Sequence, residues 1–288
     1  MRDAGGDQGK NMCGDTRGEV AGAMATGIQP EGDEGAAVVG RADLHLHTNL
    51  GDGTASPARV LELARRRGLD VIAVTDHDHL EGAKRVADLL VREEEARARG
   101  DLPPDRPIQL VWGCEVTTRD GHFLGLFIQK PPKMLQRAEA TIEAIKEQGG
   151  LCVVPHPLGR LVPSLSRRRI DELLERGYPL DGIELYNPSP ANASARQRVR
   201  ELNWQWGLAA VGSSDAHFWQ HVGAGYTVFP GRTPEDLRAA ITGRSSREAG
   251  QERPPERLPI GAYVLQCGWS WFVDPPRKIA RRLRQRER

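Results

Sequence analysis

Short apolar runs alternate with segments of helical periodicity along the middle of the chain. A run such as DVIAVT is too short for a helix and rich in β-branched residues, so it predicts a buried strand. Strands and helices that alternate along a chain favour a parallel sheet with helices packed outside it. The predicted strands are residues 39–46, 70–75, 109–115, 122–128, 151–155, 181–186, 208–213 and 224–229.

Helix-start signals lie between these runs. SPARVLELARRRG opens with Ser56 as N-cap and Pro57 in the first turn, and Gly68 stops it. TPEDLRAAI opens with the same combination of cap and proline. Repeated strand–helix units over roughly 200 residues favour a closed barrel over an open sheet. The other predicted helices are residues 80–99, 133–149, 166–177, 192–206 and 234–242.

Composition divides the chain into three parts. Residues 1–38 are rich in Gly, Asp and Glu and poor in large apolar residues, so we predict a disordered segment. Residues 39–250 form the predicted barrel. Residues 251–288 are predicted to be a linker, an aromatic segment and a basic C-terminal helix.

The C-terminal tail is strongly basic. Residues 275–288 carry six arginines, one lysine and one glutamate, a net charge of +6 in a chain of net charge +1. Such a tail attracts phosphate polymers or anionic lipid, or it forms a solvated helix face. We expect Trp269 and Trp271 to dock this segment on the barrel rather than to stack on bases.

The remaining composition predicts a cytoplasmic protein. No stretch approaches ~20 uninterrupted apolar residues, so no membrane span is expected. The N-terminus lacks the basic-then-apolar pattern of a secretory signal. Four cysteines are widely spaced without a Cys-x-x-Cys pair, which fits a reducing compartment. No obligate protein partner is inferred.

Polar side chains gather at the ends of the predicted strands. His45 and His47 lie two residues apart, so both imidazoles face one side, while Leu44 and Leu46 face the other. In parallel barrels the C-terminal strand ends build the active site. Imidazole and carboxylate ligands without thiolates suit zinc, manganese or iron(II), whereas the alternative is polar residues that only pack. The candidate metal ligands are His45, His47, Asp52, His77, Glu115, His122, His156, Asp215 and His217.

The motifs DLHLHT, SPARVLELARRRGLDVIAVTDHD, GCEVT, HFLGLF, PHP and SSDAH occur in this order. Together they resemble the polymerase and histidinol phosphatase (PHP) family, and GDG matches its free-standing phosphoesterase branch. The resemblance implies an α/β fold, a distorted (β/α)7 barrel with two or three divalent metal ions (Mn, Zn or Fe) at the C-terminal ends of the strands. The implied ligand sets are His45, His47, Glu115 and Asp215 for a first ion, Glu115, His122 and His156 for a second, and Asp52, His77 and His217 for a third.

Phosphate-ester hydrolysis by a metal-activated hydroxide is the expected reaction. The first substrate class is a phosphate monoester, a nucleotide or other small phosphorylated metabolite. A 5′-3′ exonuclease on short RNA or DNA is the alternative, because relatives in this branch carry that activity and the basic tail is compatible with it. A third possibility is a catalytically idle metal-binding scaffold for a nucleic-acid partner.

Four residues are candidates for catalysis or substrate binding. Asp78 or His79 is expected to donate a proton to the leaving group, or to form a structural turn. Arg160 has the planar fork that clamps a phosphate, although a surface role is also open. Asn187 follows a strand and is expected to contact substrate.

Two further carboxylates are expected to act behind the metal ligands. Asp43 and Asp76 lie beside ligand positions in the sequence, and we expect them to orient imidazoles.

Overall fold

The computed structural model describes residues 38–102, 107–251 and 258–270. In this part of the chain one nine-stranded sheet has the order β7-β6-β5-β4-β3-β2-β1-β8-β9. The strands are β1 (Val39–Leu46), β2 (Val71–Val74), β3 (Gln109–Thr117), β4 (His122–Leu126), β5 (Leu151–Val154), β6 (Gly182–Tyr186), β7 (Ala209–Gly212), β8 (Gly225–Pro230) and β9 (Arg247–Gly250). The α-helices are α1 (Pro57–Arg66), α2 (Glu81–Ala98), α3 (Ala138–Lys146), α4 (Arg167–Glu175), α5 (Arg196–Trp206), α6 (Pro234–Thr242) and α7 (Ile260–Gly268).

The sheet is mixed and nearly closes into a barrel. Strands β1 to β3 and β5 to β7 run parallel, whereas β4 is antiparallel to β3 and β5, and β8 to β1 and β9. The Gly212 amide in β7 donates to Thr227 Oγ1 in β8 (3.1 Å), and beyond β7 Ala216 bridges Leu46 of β1. The predicted α/β barrel is confirmed, but its strands do not repeat as seven β/α units. Strand β9 was not predicted because REAG contains no apolar run.

Both predicted helix starts are confirmed. The Ser56 side chain accepts the Arg59 amide at 3.3 Å at the start of α1. Before α6, Thr233 and Asp236 form a capping box in which each side chain accepts from the other residue's backbone amide. These contacts satisfy amides that the first helical turn leaves unpaired.

The predicted shared face of Leu44 and Leu46 is wrong. Both side chains are fully buried, but Leu46 packs with Ile72 in the cluster that includes α1, whereas Leu44 packs with Val71 and with Leu237 of α6. The pairing register of β1 on β2 shifts within the second half of β1. This irregularity interrupts the simple alternation of a strand just before the histidine pair.

The two terminal parts extend beyond what the structure describes. The predicted disorder of residues 1–38 falls outside the described residues except for Val38, as does the predicted basic helix at 275–288. Helix α7 lies where the sequence predicted linker and aromatic segment. None of the helices in the described ranges is long and apolar enough to cross a bilayer.

We expect a variant that lacks residues 1–37 to fold and to keep its activity. The first described contact is the Val38 carbonyl, which accepts the Gly231 amide at 2.8 Å, so the variant keeps every described contact of β1. Thermal unfolding and turnover measured beside the full chain test this expectation. Aggregation or loss of metal in the shortened chain would show that the removed segment packs on the barrel.

Candidate metal centre

All nine predicted ligands lie together at one end of the barrel. His45 is the second-to-last residue of β1, and Glu115 lies near the end of β3. His122 begins its strand, yet it reaches the same end because β4 is antiparallel and pairs His122 with Thr117 at the end of β3. The other six lie in the loops that follow β1, β2, β5 and β7, and they are His47, Asp52, His77, His156, Asp215 and His217.

The Glu115 carboxylate occupies the middle of the cluster. Its Oε1 lies 2.6 Å from His122 Nδ1 and 2.8 Å from His156 Nε2. Its Oε2 lies 3.0 Å from His45 Nε2 and 3.3 Å from His47 Nε2. It is almost fully buried. One carboxylate therefore lies close to nitrogen atoms of four different histidines.

Asp52 is a second carboxylate of the cluster, and it lies among a different group of imidazoles. Its Oδ1 lies 3.4 Å from His47 Nδ1, and its Oδ2 lies 3.3 Å from His217 Nε2 and 3.8 Å from His77 Nε2. The rings of His47 and His217 stack with centroids 4.0 Å apart. This group matches the implied third ligand set, with His47 added.

Several buried polar atoms at this centre lack hydrogen-bond partners. These atoms are both ring nitrogens of His47, Oδ1 of Asp52 and Oδ1 of Asp215. His45 Nδ1 must donate to the Glu184 carboxylate (2.8 Å), so in the neutral ring Nε2 is an acceptor that faces a second acceptor, Glu115 Oε2. A cation between such atoms removes the penalty of burying them unpaired.

The donor set suits divalent cations. Four groups of side chains have ligand atoms within 4.8 Å of one another. Nitrogen and carboxylate donors without sulfur suit zinc, manganese or iron(II). Two of these groups differ from the ligand sets that the family resemblance implies. Glu115 and His122 group with His77 instead of His156, and Asp215 groups with His45 and His156. The four groups are His47, Asp52, His77 and His217; His45, His156 and Asp215; His45, His47 and Glu115; and His77, Glu115 and His122.

Charges at the centre stabilise one another against burial. Burial lowers the pKa of His45, but Asp215, Glu115 and Glu184 outweigh burial and raise this pKa well above its usual value. Burial raises the pKa of Glu115, but the surrounding imidazoles hold it well below its usual range. Protons and divalent cations therefore compete for the same nitrogen atoms.

Three residues of the centre have left-handed backbone. The φ angles are 59° for Asp78, 29° for His156 and 49° for Asp215. Residues other than glycine adopt this region rarely, and each instance costs about 1–3 kcal/mol. The surrounding contacts hold these turns in the conformation that directs His156 and Asp215 into the cluster.

The contacts of Asp78 and His79 are those of a structural turn. Asp78 Oδ1 accepts the Thr117 amide (2.8 Å), and Oδ2 accepts the Thr117 hydroxyl (2.9 Å). His79 Nδ1 accepts the Glu81 amide at the start of α2 (3.3 Å). Both side chains are buried, and they fasten the loop after β2 to β3 and α2. Proton donation by either residue stays a prediction.

Asn187 and Arg160 have different surroundings. Asn187 is fully buried, and its amide group donates to Glu184 Oε2 (3.1 Å) and Asp215 Oδ2 (3.2 Å). These bonds favour orientation of Asp215 over the predicted contact with substrate. Arg160 is exposed on the loop after β5, four residues from His156, and its role as a phosphate clamp stays a prediction.

Asp43 and Asp76 hydrogen-bond to the loops that carry the ligands rather than to imidazole rings. Asp43 accepts the amides of Ser214 (3.0 Å) and Gly223 (2.9 Å), and Asp76 accepts the amide and hydroxyl of Thr48 (both 2.7 Å). Burial raises the pKa of each to about 6. The prediction that they orient imidazoles is corrected: these hydrogen bonds fix the loops that carry the ligands.

Glu184 is the residue that the sequence prediction missed. It is buried in β6, where Oε1 accepts from His45 Nδ1 and from the Ser213 hydroxyl, and Oε2 accepts the His156 amide at 2.6 Å. An acid inside the apolar run GIELY was the available signal, because a lone carboxylate is rarely buried unless it is paired. Glu184 fixes the ring orientation of His45 and the backbone of His156.

Helix α7 supplies further contacts that were not predicted. The Gln266 amide group donates to the Asp52 carbonyl, and the Ser270 hydroxyl donates to Asp52 Oδ2, both at 2.5 Å. Tyr263 packs edge-on against Phe218 with ring centroids 5.3 Å apart. Gln266 and Ser270, which follows α7, thus lie against Asp52 at one edge of the centre.

We expect Glu184→Gln to lower metal affinity or turnover by ~10–100-fold, the usual effect of losing a partner that orients a metal ligand. The substitution replaces an acceptor of the His45 ring proton by an amide of equal size. Metal titration and turnover measure the effect. The matched change Glu248→Gln, in a surface pair with Arg200, should leave both unchanged. Equal results for the two variants would contradict an orienting role.

Comparisons with known proteins agree with this geometry. The sequence profile of the PHP domain matches residues 43–177, and that of a PHP-associated region matches residues 193–245. An uncharacterized protein of Methanocaldococcus jannaschii is 33% identical over 159 residues, which are 51% of this chain and 81% of that protein. A 5′-3′ exoribonuclease of Haemophilus influenzae is 33% identical over 111 residues, 37% of this chain and 35% of that enzyme.

A solved structure shows the same fold. It is a two-domain protein of Bacteroides vulgatus that contains a predicted PHP-like metal-dependent phosphoesterase. The TM-score is 0.59 at 20% identity, over 75% of this chain and 66% of that one. Matching profiles, a relative matched over most of its length and the clustered histidines agree: the chain belongs to the PHP domain family.

Proposed function

We propose that this protein hydrolyses phosphate monoesters, with a nucleotide or another small phosphorylated metabolite as substrate. The observation that carries the proposal is the buried Glu115 carboxylate among imidazoles, with unpaired acceptor atoms on both sides of it. When bound, divalent cations would lower the pKa of a water molecule and neutralise charge on the phosphoryl oxygens.

The chain's own residues have separable tasks in this proposal. Glu115, Asp215 and the imidazoles would hold the cations, while Glu184 and Asn187 fix the orientation of ligand side chains through hydrogen bonds. The leaving alkoxide needs a proton, for which His79 and Asp78 are the candidates.

Helix α7 supports a small substrate. Gln266 of α7 and Ser270 just after it contact Asp52, so this segment lies against one edge of the centre. A small phosphorylated metabolite needs less room beside such a segment than an oligonucleotide does.

A substrate screen tests the proposed activity. Phosphorylated metabolites, 5′-phosphorylated oligonucleotides and an aryl phosphate are offered to the protein with manganese or zinc, and phosphate release is measured. We expect turnover of the aryl phosphate and of at least one metabolite. Metal-loaded protein that releases no phosphate from any of them would contradict the proposal and favour the idle scaffold.

A 5′-3′ exonuclease is the second candidate. Similarity to the exoribonuclease over about a third of that enzyme favours it, and so does the net charge of +6 in residues 275–288. Nucleic-acid phosphates are bound mainly through such charges.

Deletion of residues 275–288 separates the two candidates. For a small monoester we expect kcat/KM to stay within a few-fold, because only the metal centre binds the substrate. For an oligonucleotide, each phosphate that the tail no longer neutralises flattens the salt dependence by a slope of ~0.7. Kinetics on both substrate classes at several salt concentrations give the answer. Selective loss of oligonucleotide cleavage would favour exonuclease activity over monoester hydrolysis.

A further inference from the structure

Helix α7 leaves three of its large apolar side chains exposed to solvent. Toward the barrel, Gln266 and the following Ser270 contact Asp52, and Tyr263 packs against Phe218. Away from the barrel, Ile260 is 82% exposed, Val264 64% and Leu265 77%. A normal surface helix buries most of its large apolar residues.

The exposed residues form a broad apolar stripe. Ile260 and Val264 lie at one edge of it, and Leu265 lies at the other, about 140° around the helix from Ile260. Trp269, the residue that follows α7, is 42% exposed and extends the side of Leu265 toward the C-terminus. Exposed apolar stripes of this kind mark binding surfaces, because a large apolar side chain is more stable when it is removed from water.

The sequence after α7 indicates what covers the stripe. Trp271 and Phe272 follow directly, and then come the seven basic residues of 275–288 with a single glutamate. Aliphatic and aromatic residues beside a cluster of lysine and arginine are the composition of segments that lie in the interface of anionic membranes.

We propose that α7 docks on the surface of an anionic lipid bilayer, with its apolar stripe in the headgroup region, and that the positive charge of the sequence after it favours anionic lipid. A nine-residue helix is ~14 Å long, too short for a hydrocarbon core of ~30 Å, so it lies on the membrane and does not cross it.

Charge and chemistry disfavour the other partners. A second copy of the chain would bring two tails of net charge +6 together. A nucleic acid would bind the tail but would leave Ile260, Val264 and Leu265 in water. The bilayer is the partner that takes up both the apolar stripe and the positive charge.

Vesicle sedimentation tests the proposal with the full chain. Vesicles of phosphatidylcholine mixed with phosphatidylglycerol should pellet the protein, and vesicles of phosphatidylcholine alone should pellet much less. We expect V264E/L265E to weaken binding at least ~10-fold, because it places charge in the apolar stripe. The charge variant R281E/R282E/R284E should also weaken binding, and salt should weaken the binding of the unaltered chain.

Controls distinguish the membrane from the other partners. Trp204→Ser removes an apolar residue that is 90% exposed on α5, outside the stripe, and should bind vesicles like the unaltered chain. Turnover of an aryl phosphate shows that each variant is folded. Three results would overturn the proposal: no sedimentation with anionic vesicles, unchanged binding by V264E/L265E, or binding of an oligonucleotide but not of vesicles.

Discussion

Glu115→Gln should abolish turnover and lower the number of bound metal ions. Glu115 lies within 3.4 Å of nitrogen atoms on five histidines, and it belongs to two of the four candidate ligand groups. An amide is uncharged, and its nitrogen cannot bind a cation. The loss of activity should exceed the ~10–100-fold expected for residues that only orient a ligand. Metal analysis and kinetics on an aryl phosphate measure both effects.

Two further variants show whether the effect is specific to the Glu115 carboxylate. Glu143→Gln makes the same chemical change at an exposed position of α3 and should leave both quantities unchanged. Glu115→Asp keeps the charge on a shorter side chain and should retain more metal than Glu115→Gln. Full metal content together with normal turnover in Glu115→Gln would refute the role of Glu115 as a metal ligand.

The double variant H45A/H47A should lose at least one metal ion and all measurable turnover. His47 belongs to two of the four candidate ligand groups and His45 to two, with one group in common. Both side chains are fully buried at the end of β1, so no surface residue can replace them. Metal content per chain and phosphate release are the readouts.

His221→Ala is the matched control for the double variant. His221 is a histidine outside the cluster, where its ring packs edge-on against Phe218. It should keep metal and turnover, and thermal unfolding shows whether either variant is damaged in its fold. A double variant that keeps its full metal content would show that the pair packs without binding a cation.

Much of the fold could be predicted because local signals agree with it. Apolar runs, the Ser56 and Thr233 caps and the placement of histidines at strand ends each depend on a few neighbouring residues. The antiparallel direction of β4 could not be predicted in this way, because it depends on pairing with β3 across a four-residue turn. That pairing decides that His122, although first in its strand, joins the centre.

The parts that could not be predicted depend on long-range contacts. Glu184 bonds to His45, 139 positions earlier in the chain, and Ser270 bonds to Asp52, 218 positions earlier. Asp78 illustrates the same limit, because the sequence allows either a proton donor or a turn. The two hydrogen bonds that Asp78 accepts from Thr117 of β3 favour the turn.

The metal content of purified, active protein tests the central claim most directly. Elemental analysis counts transition-metal ions per chain, and turnover of an aryl phosphate is measured on the same sample. The clustered ligands predict two or three ions per chain, with activity lost on chelation and restored by manganese or zinc. Fully active protein that holds fewer than one ion per chain would contradict the account.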